Sequence, residues 1–157
     1  MNSVMDNKVV ILIGSETDKP TMEAANAYYD YFNIDHEIKV MSAHRNPAEV
    51  HEFSSNAASN GYKVIVAAAG MAAHLAGAVK AVSTLPVIGV PLDGGILTGL
   101  DSLLATVQMP KGVPVATMSV GKHGAINAAI LSAEILALND ESLKQKLVEF
   151  KAMGAKL

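Results

Sequence analysis

Val9-Val10-Ile11-Leu12-Ile13-Gly14 is an unbroken run of β-branched and aliphatic residues that ends in glycine. A half-buried strand alternates apolar and polar residues, whereas a strand buried on both faces is apolar throughout. The run therefore predicts a central strand of a parallel sheet. Four similar runs follow, at residues 36–41, 63–70, 86–92 and 114–118.

Segments with helical character alternate with these five runs, at residues 17–32, 46–60, 72–82, 100–109 and 125–138. Strand and helix alternating five times is typical of a doubly wound α/β sheet. The length of 157 residues suits one domain, so we expect a single domain over 1–157 with its core at about 9–138.

An extra helix is predicted after this core, over about residues 141–156. Leu143, Leu147, Phe150 and Met153 repeat there at helical spacing, so one face of the helix requires burial. Because the five-strand unit is already complete, that face is expected to cover either the same domain or a neighbouring subunit.

Composition predicts self-association and excludes several kinds of site. Hydrophobic residues make up 50% of the chain and charged residues only 17%, which predicts a homo-oligomer because a small monomer would expose much apolar surface. The formal net charge of −3 argues against a nucleic-acid partner. The absence of cysteine excludes disulfides, cysteine-ligated zinc, iron–sulfur clusters and thiol nucleophiles.

The apolar runs are also too short for a membrane protein. Gly, Pro, His or Lys interrupts each of them before a membrane-spanning length is reached. Residues 1–8 are short and polar, unlike a secretory leader. We therefore expect a cytoplasmic protein with no membrane partner.

The loop after the first predicted strand contains Gly14, Ser15, Thr17 and Asp18. Ligands of open α/β sheets bind beyond the carboxyl ends of the strands. Amides and hydroxyls of this loop suit a phosphate, and a carboxylate suits sugar hydroxyls. The alternative is a helix N-cap formed by Thr17 or Asp18.

The loop after the second strand carries Ser42, His44 and Arg45, and Arg45 is the single arginine of the chain. A guanidinium at this position is suited to bidentate binding of a phosphate, although an ordinary surface ion pair is the alternative. An imidazole changes charge near neutral pH, so His44 is a candidate general acid/base as well as a candidate packed residue.

The third loop adds Gly70 and His74, and His74 is expected one turn into the helix predicted over 72–82, facing the same cleft. His44, His74 and His123 lack carboxylate partners at ligand spacing, so no metal site is expected. The dinucleotide fingerprint, the P-loop and the hydrolase elbow around a nucleophilic serine are all missing.

Taken together, these motifs closely resemble the PurE family, in order, from about residue 9 to residue 138. The motifs that carry the resemblance are Gly14-Ser15-x-Thr17-Asp18, Ser42-Ala43-His44-Arg45-x-Pro47, Ala69-Gly70-x-Ala72-Ala73-His74-Leu75, Leu85-Pro86-Val87-Ile88-Gly89-Val90-Pro91, Gly99-x-Asp101-Ser102-Leu103-Leu104 and Val107-Gln108-Met109-Pro110-x-Gly112-Val113-Pro114-Val115. The resemblance implies a three-layer, flavodoxin-like subunit with a five-stranded parallel sheet, assembled into an octamer whose sites are shared between neighbours.

The resemblance also implies a function, without cofactor or metal. It is the isomerisation of N5-carboxyaminoimidazole ribonucleotide to 4-carboxy-5-aminoimidazole ribonucleotide in purine biosynthesis. Ser15 and Arg45 would hold the phosphate with the help of Ser42, Asp18 would bind the ribose hydroxyls, and His44 would be the acid/base. Gly70 and His74 complete the expected substrate-binding set.

The alternatives are a direct carboxylase of aminoimidazole ribonucleotide and a catalytically silent ribotide-binding protein. The carboxylase class usually has Ser-Ala-His-Lys in the second loop, so Arg45 favours the mutase, and an intact His44 argues against a silent binder. The chain departs from the family pattern at four places, none of which replaces an expected catalytic or phosphate-binding residue. They are the single residues Thr17, Lys19 and Met71 and the stretch Asp93-Gly94-Gly95.

Overall fold

Five parallel strands form one sheet in the computed structural model, which describes residues 7–157. The strands are β1 (Lys8–Ile13), β2 (Asp35–Val40), β3 (Tyr62–Gly70), β4 (Val87–Leu92) and β5 (Ala116–Thr117). The helices are α1 (Lys19–Glu23), α2 (Asn26–Tyr31), α3 (Pro47–Asn56), α4 (Leu75–Val82), α5 (Leu100–Val107), α6 (Lys122–Ala137) and α7 (Glu141–Ala152). The expectation that no leader opens the chain concerns mainly residues that lie outside the described range.

Both faces of the sheet are buried at β1, as the apolar run in that strand predicts. Val9, Ile11 and Ile13 point into a core formed with α1, α2, α6 and α7. Val10 and Leu12 point to the opposite side, into a second core formed with α3 and α4. The predicted three-layer α/β/α fold is therefore confirmed.

The order of the strands, β2-β1-β3-β4-β5, determines where a ligand can bind. From β1 the chain crosses to β2 on one side, and β3 then pairs with β1 on the other side. The loops that follow these strands consequently diverge and leave a crevice beyond the carboxyl ends of the strands.

The first predicted helix, 17–32, is interrupted in the structure. A 3-10 turn over Glu16–Asp18 precedes α1, and α2 begins only at Asn26. At the junction the amide of Ala25 donates to the carbonyl of Met22, three residues back instead of four. Ala25 and Tyr29 remain buried, so both pieces keep the apolar face on the sheet.

The fifth strand is shorter than predicted and contains two residues instead of the run 114–118. Pro114 has no amide hydrogen to donate to a neighbouring strand. β5 pairs only with Ile88 and Gly89 of β4, although the amide of Met118 also donates to the carbonyl of Gly89. The edge strand is thus limited to the part that β4 can pair.

The terminal helix α7 packs on its own chain, which resolves one alternative that the sequence left open. Leu143 and Phe150 are buried in the core on the α6 side of the sheet. Met153 is 49% exposed and lies beyond the last residue of the helix, so its predicted burial on this helix is wrong. Within residues 7–157, no helix is both long and apolar enough to cross a membrane.

Candidate active site

A cavity of about 500 Å³ opens beyond the carboxyl ends of the strands. Its wall is formed by the segments that follow β1, β2, β3 and β4. All seven residues that the sequence singles out line it, and they are Ser15, Asp18, Ser42, His44, Arg45, Gly70 and His74. The fold thus assembles one site from loops that are far apart in sequence.

In the first loop, Ser15 is the N-cap residue of the 3-10 turn over Glu16–Asp18. Its hydroxyl accepts from the amide of Thr17 at 3.3 Å and forms a hydrogen bond with the Thr17 hydroxyl at 2.9 Å. Asp18 makes no side-chain cap hydrogen bond to the helix that follows. Asp18 therefore occupies the N-cap position of α1, as the alternative predicts, but its side chain does not cap the helix and remains available to a ligand.

The carboxyl group of Asp18 is half-buried in the cavity wall. This burial raises its pKa above the usual value, and a hydrogen bond with the backbone of Ser15 partly offsets the effect. Hydroxyl groups of a ligand would restore hydrogen bonds that the carboxylate loses when it is removed from water.

The second loop is a tight turn that presents Arg45. The Ser42 hydroxyl accepts from the amide of Arg45 at 3.2 Å, and the Asn46 side chain accepts from the amide of Ser42 at 3.4 Å. The Arg45 side chain is exposed and forms no ion pair within the part of the chain that the structure describes. This argues against the ordinary surface ion pair and leaves the guanidinium free for an anion.

His44 and His74 meet in the cavity although 30 residues separate them in sequence. Nε2 of His44 lies 2.6 Å from Nδ1 of His74, and the two rings meet edge to face at 74°. A hydrogen bond between two imidazoles holds one proton, so the pair accepts a further proton only at a nitrogen outside that bond. The sequence predicts that His74 faces the same cleft as His44, and the structure shows in addition that the two rings are hydrogen-bonded.

The position of His74 also differs from its predicted place one turn inside a helix. α4 begins at Leu75, and His74 is its N-cap residue, with no side-chain cap hydrogen bond. The side chain is therefore free to reach His44 across the loop. Sequence reasoning missed this contact because it placed the start of the helix three residues too early.

Gly70 and Met71 form the wall between β3 and His74. A Cβ atom on Gly70 would lie 3.3 Å from the carbonyl oxygen of Leu92 and 3.4 Å from that of Asp93, so a side chain would crowd the end of β4. Met71 has a φ of +56° and is 63% exposed. A bulky residue in this left-handed conformation is rare.

The remaining histidine of interest, His123, does not line the cavity. Among residues 7–157 no group of three or more His, Cys, Asp and Glu side chains is arranged to hold a metal ion. The chemistry available to the described residues is thus that of an imidazole pair beside a guanidinium, a carboxylate and several hydroxyls.

Comparison with known proteins gives consistent results. A family model described as AIR carboxylase matches residues 8–156. The chain is 52% identical over 145 residues to the N5-carboxyaminoimidazole ribonucleotide mutase of Bacillus subtilis (strain 168), covering 92% of this chain and 90% of the relative. It is 46% identical over 144 residues to the protein of the same name from Escherichia coli (strain K12), covering 92% and 85%. The crystal structure of Treponema denticola PurE is similar with a TM-score of 0.84 at 24% identity, over 94% of this chain and 91% of that one, which supports the flavodoxin-like fold.

Proposed function

The chain belongs to the AIR carboxylase family, and from this premise we propose that it is an isomerase of purine biosynthesis. Its reaction converts N5-carboxyaminoimidazole ribonucleotide to 4-carboxy-5-aminoimidazole ribonucleotide. One observation in the site supports this proposal most directly: the His44–His74 pair and the free guanidinium of Arg45 line the same cavity. An anion-binding group next to an acid/base is what a phosphorylated substrate with a labile carboxyl group requires.

The cavity provides each part of the ribonucleotide with a chemically matching group. Arg45 can bind two oxygens of the phosphate at once, and the Ser15 hydroxyl lines the same cavity. Asp18 accepts hydrogen bonds from the ribose hydroxyls, and Ser42 holds the turn that presents the guanidinium. This arrangement directs the imidazole ring of the substrate toward His44.

The reaction then needs one proton to move in each direction. The bond between the exocyclic nitrogen and its carboxyl carbon breaks, CO2 leaves, and the nitrogen takes a proton from protonated His44. C4 of the substrate then attacks the CO2 to form the new carbon–carbon bond. His44 removes the proton from C4 and returns to its starting state, so atoms and protons balance without an added reagent.

The free CO2 must stay next to C4 between these two steps. Retention in a closed pocket makes recapture effectively intramolecular, which can accelerate a reaction by many orders of magnitude. Exclusion of water also prevents hydration of the CO2. The site therefore needs both the acid/base and a barrier to escape.

The apolar surface of the chain supports the further proposal of a homo-oligomer, an octamer by resemblance to the family. That it works in the cytoplasm is proposed from its similarity to biosynthetic enzymes. Large exposed apolar side chains cluster in the loop before α5 and along that helix, and they are Ile96, Leu97, Leu100, Leu104 and Val107. Ile96 alone is 96% exposed, so water contact there is unfavourable unless another subunit covers it. Sedimentation velocity of the purified chain tests this, and a monomer at micromolar concentration would contradict it.

Conversion of N5-carboxyaminoimidazole ribonucleotide by the purified protein tests the enzymatic proposal, with and without added bicarbonate. We expect 4-carboxy-5-aminoimidazole ribonucleotide to form equally fast in both cases. Product formed only from aminoimidazole ribonucleotide and bicarbonate would instead identify a direct carboxylase. Ribotide binding without turnover of either substrate would identify a silent binding protein.

A further inference from the structure

Met71 combines two unfavourable features at the mouth of the cavity. Its backbone is left-handed, with a φ of +56°, and its apolar side chain is 63% exposed. For a residue that has a Cβ atom, this conformation is strained by contact of Cβ with the backbone. Glycine would adopt the same backbone without that strain. The residue thus weakens the fold locally and gains no core contact in return.

Three other non-glycine residues have a positive φ, namely Asn33, Thr98 and Ala155. None of these three lines the cavity, whereas Met71 does. Strained residues that persist at a ligand site point to a functional reason for the strain. The position of Met71, between Gly70 at the end of β3 and His74, places that reason close to the acid/base pair.

The chemistry of the cavity wall indicates what the side chain contributes. Asp18, Ser42 and Arg45 are suited to the polar and anionic parts of a ribonucleotide, and they offer little to CO2, which has no charge and no hydrogen-bond donor. Apolar side chains retain such a molecule while repelling water and bicarbonate. Methionine is unbranched and flexible, so it can move aside for the substrate and then cover it.

We propose that Met71 is an apolar cover over the reacting carbon, which retains CO2 between its release and its recapture. The proposal rests on the function proposed above and adds a specificity-determining residue to it. Met71 does not bind the phosphate or move a proton. It determines how often released CO2 returns to C4 instead of escaping to solvent.

Partitioning of CO2 measures this role directly. Unlabelled N5-carboxyaminoimidazole ribonucleotide is converted in buffer that contains ¹³C-bicarbonate and carbonic anhydrase. Mass spectrometry then gives the fraction of product molecules whose carboxylate is labelled. It also gives the amount of aminoimidazole ribonucleotide released per molecule of product. Wild-type protein should give little label. Met71→Gly should raise the labelled fraction and the leaked amine on the order of tenfold, the scale on which one apolar contact discriminates between ligands.

Two matched variants distinguish the effect of the apolar side chain of Met71 from the effect of its backbone strain. Met71→Leu keeps an apolar side chain of similar size and should restore a low labelled fraction. Ala155→Gly relieves the same kind of backbone strain away from the cavity and should leave the labelled fraction at the wild-type value. Both glycine variants should raise the melting temperature, by about 2–4 °C if roughly 1 kcal/mol of strain is removed.

A wild-type labelled fraction in folded, active Met71→Gly would overturn the proposal, as would an equal rise in Ala155→Gly. A changed sedimentation coefficient in Met71→Gly with unchanged labelling would also overturn it, because Met71 would then be an interface residue. Failure of the proposed function has a different signature, in which wild-type protein forms no product at all.

Discussion

Replacement of His44 by asparagine tests the acid/base assignment directly. The amide keeps some hydrogen-bonding capacity but cannot take up and release a proton near neutral pH. Loss of a positioned acid/base typically lowers turnover by about two to four decades. We therefore expect His44→Asn to lose on that scale in kcat while its affinity for the product is preserved.

His74→Asn is the matched control, since it changes the same residue type in the same cavity. The structure places Nδ1 of His74 2.6 Å from Nε2 of His44, which makes His74 a positioning residue for the imidazole. Both side chains are exposed in the free protein, so the hydrogen bond is worth about 1 kcal/mol, the usual net contribution of one hydrogen bond. That corresponds to a loss of about fivefold in kcat, far smaller than the loss expected at His44.

The double variant distinguishes cooperation from independent action. If His74 acts only through His44, the double variant should lose no more turnover than His44→Asn alone, because the positioning contact has no remaining target. Steady-state kinetics, product affinity by calorimetry and thermal melting of all four proteins complete the cycle. Comparable turnover in His44→Asn and wild type, with binding intact, would remove His44 from the mechanism, and a larger loss at His74 would transfer the role to that residue.

Three further substitutions test the phosphate site, the ribose site and the terminal helix. Arg45→Lys should raise KM by the equivalent of about 1–3 kcal/mol, because an ammonium cannot reproduce bidentate binding; an unchanged KM in steady-state kinetics would argue against phosphate binding there. Burial raises the pKa of Asp18, so its ionised form destabilises the fold, and this loss of stability develops as pH rises through the folded-state pKa. Asp18→Asn should therefore melt higher at neutral pH, with a gain that disappears in acid, while KM rises by roughly tenfold or more through the lost charged acceptor. Asp140→Ala should lower the unfolding free energy by about 1 kcal/mol, because the carboxylate caps α7 through the amide of Leu143 and accepts from Asn7 at 2.9 Å. The hydrogen bond from Asn7, and secondarily that from Leu143, lowers the pKa of Asp140. Urea titrations should therefore show that the difference in unfolding free energy between wild type and Asp140→Ala shrinks as pH falls through the folded-state pKa.

The sheet was predictable because a strand buried on both faces requires apolar residues at consecutive positions. Val9 to Ile13 alternate between two cores, so every position must be apolar, and the run is readable without any distant contact. The edge strand β5 was overestimated because an edge strand is defined by its partner as much as by its own residues. Only Ile88 and Gly89 were available to pair with it.

The membership of the site was also predictable, because parallel strands place the loops after their carboxyl ends on one edge of the sheet. Ser15 and Asp18 lie in the segment after β1, His44 and Arg45 lie in the loop after β2, and all four line the cavity. The side-chain cap was harder to predict, since a serine, a threonine and an aspartate compete within four residues and the local backbone decides among them.

By itself, then, the sequence determined the layers of the fold and the loops that form the site, because both follow from local patterns of apolar and polar residues. Only the tertiary structure decided that His44 and His74 share a hydrogen bond, that α7 covers its own domain, and that Met71 stands strained at the cavity mouth. Each of these depends on the start of a helix or the angle of a loop, which packing sets through contacts between residues distant in the chain. The local sequence does not determine which distant residues come into contact, so these features can be seen only once the sheet has brought the loops together.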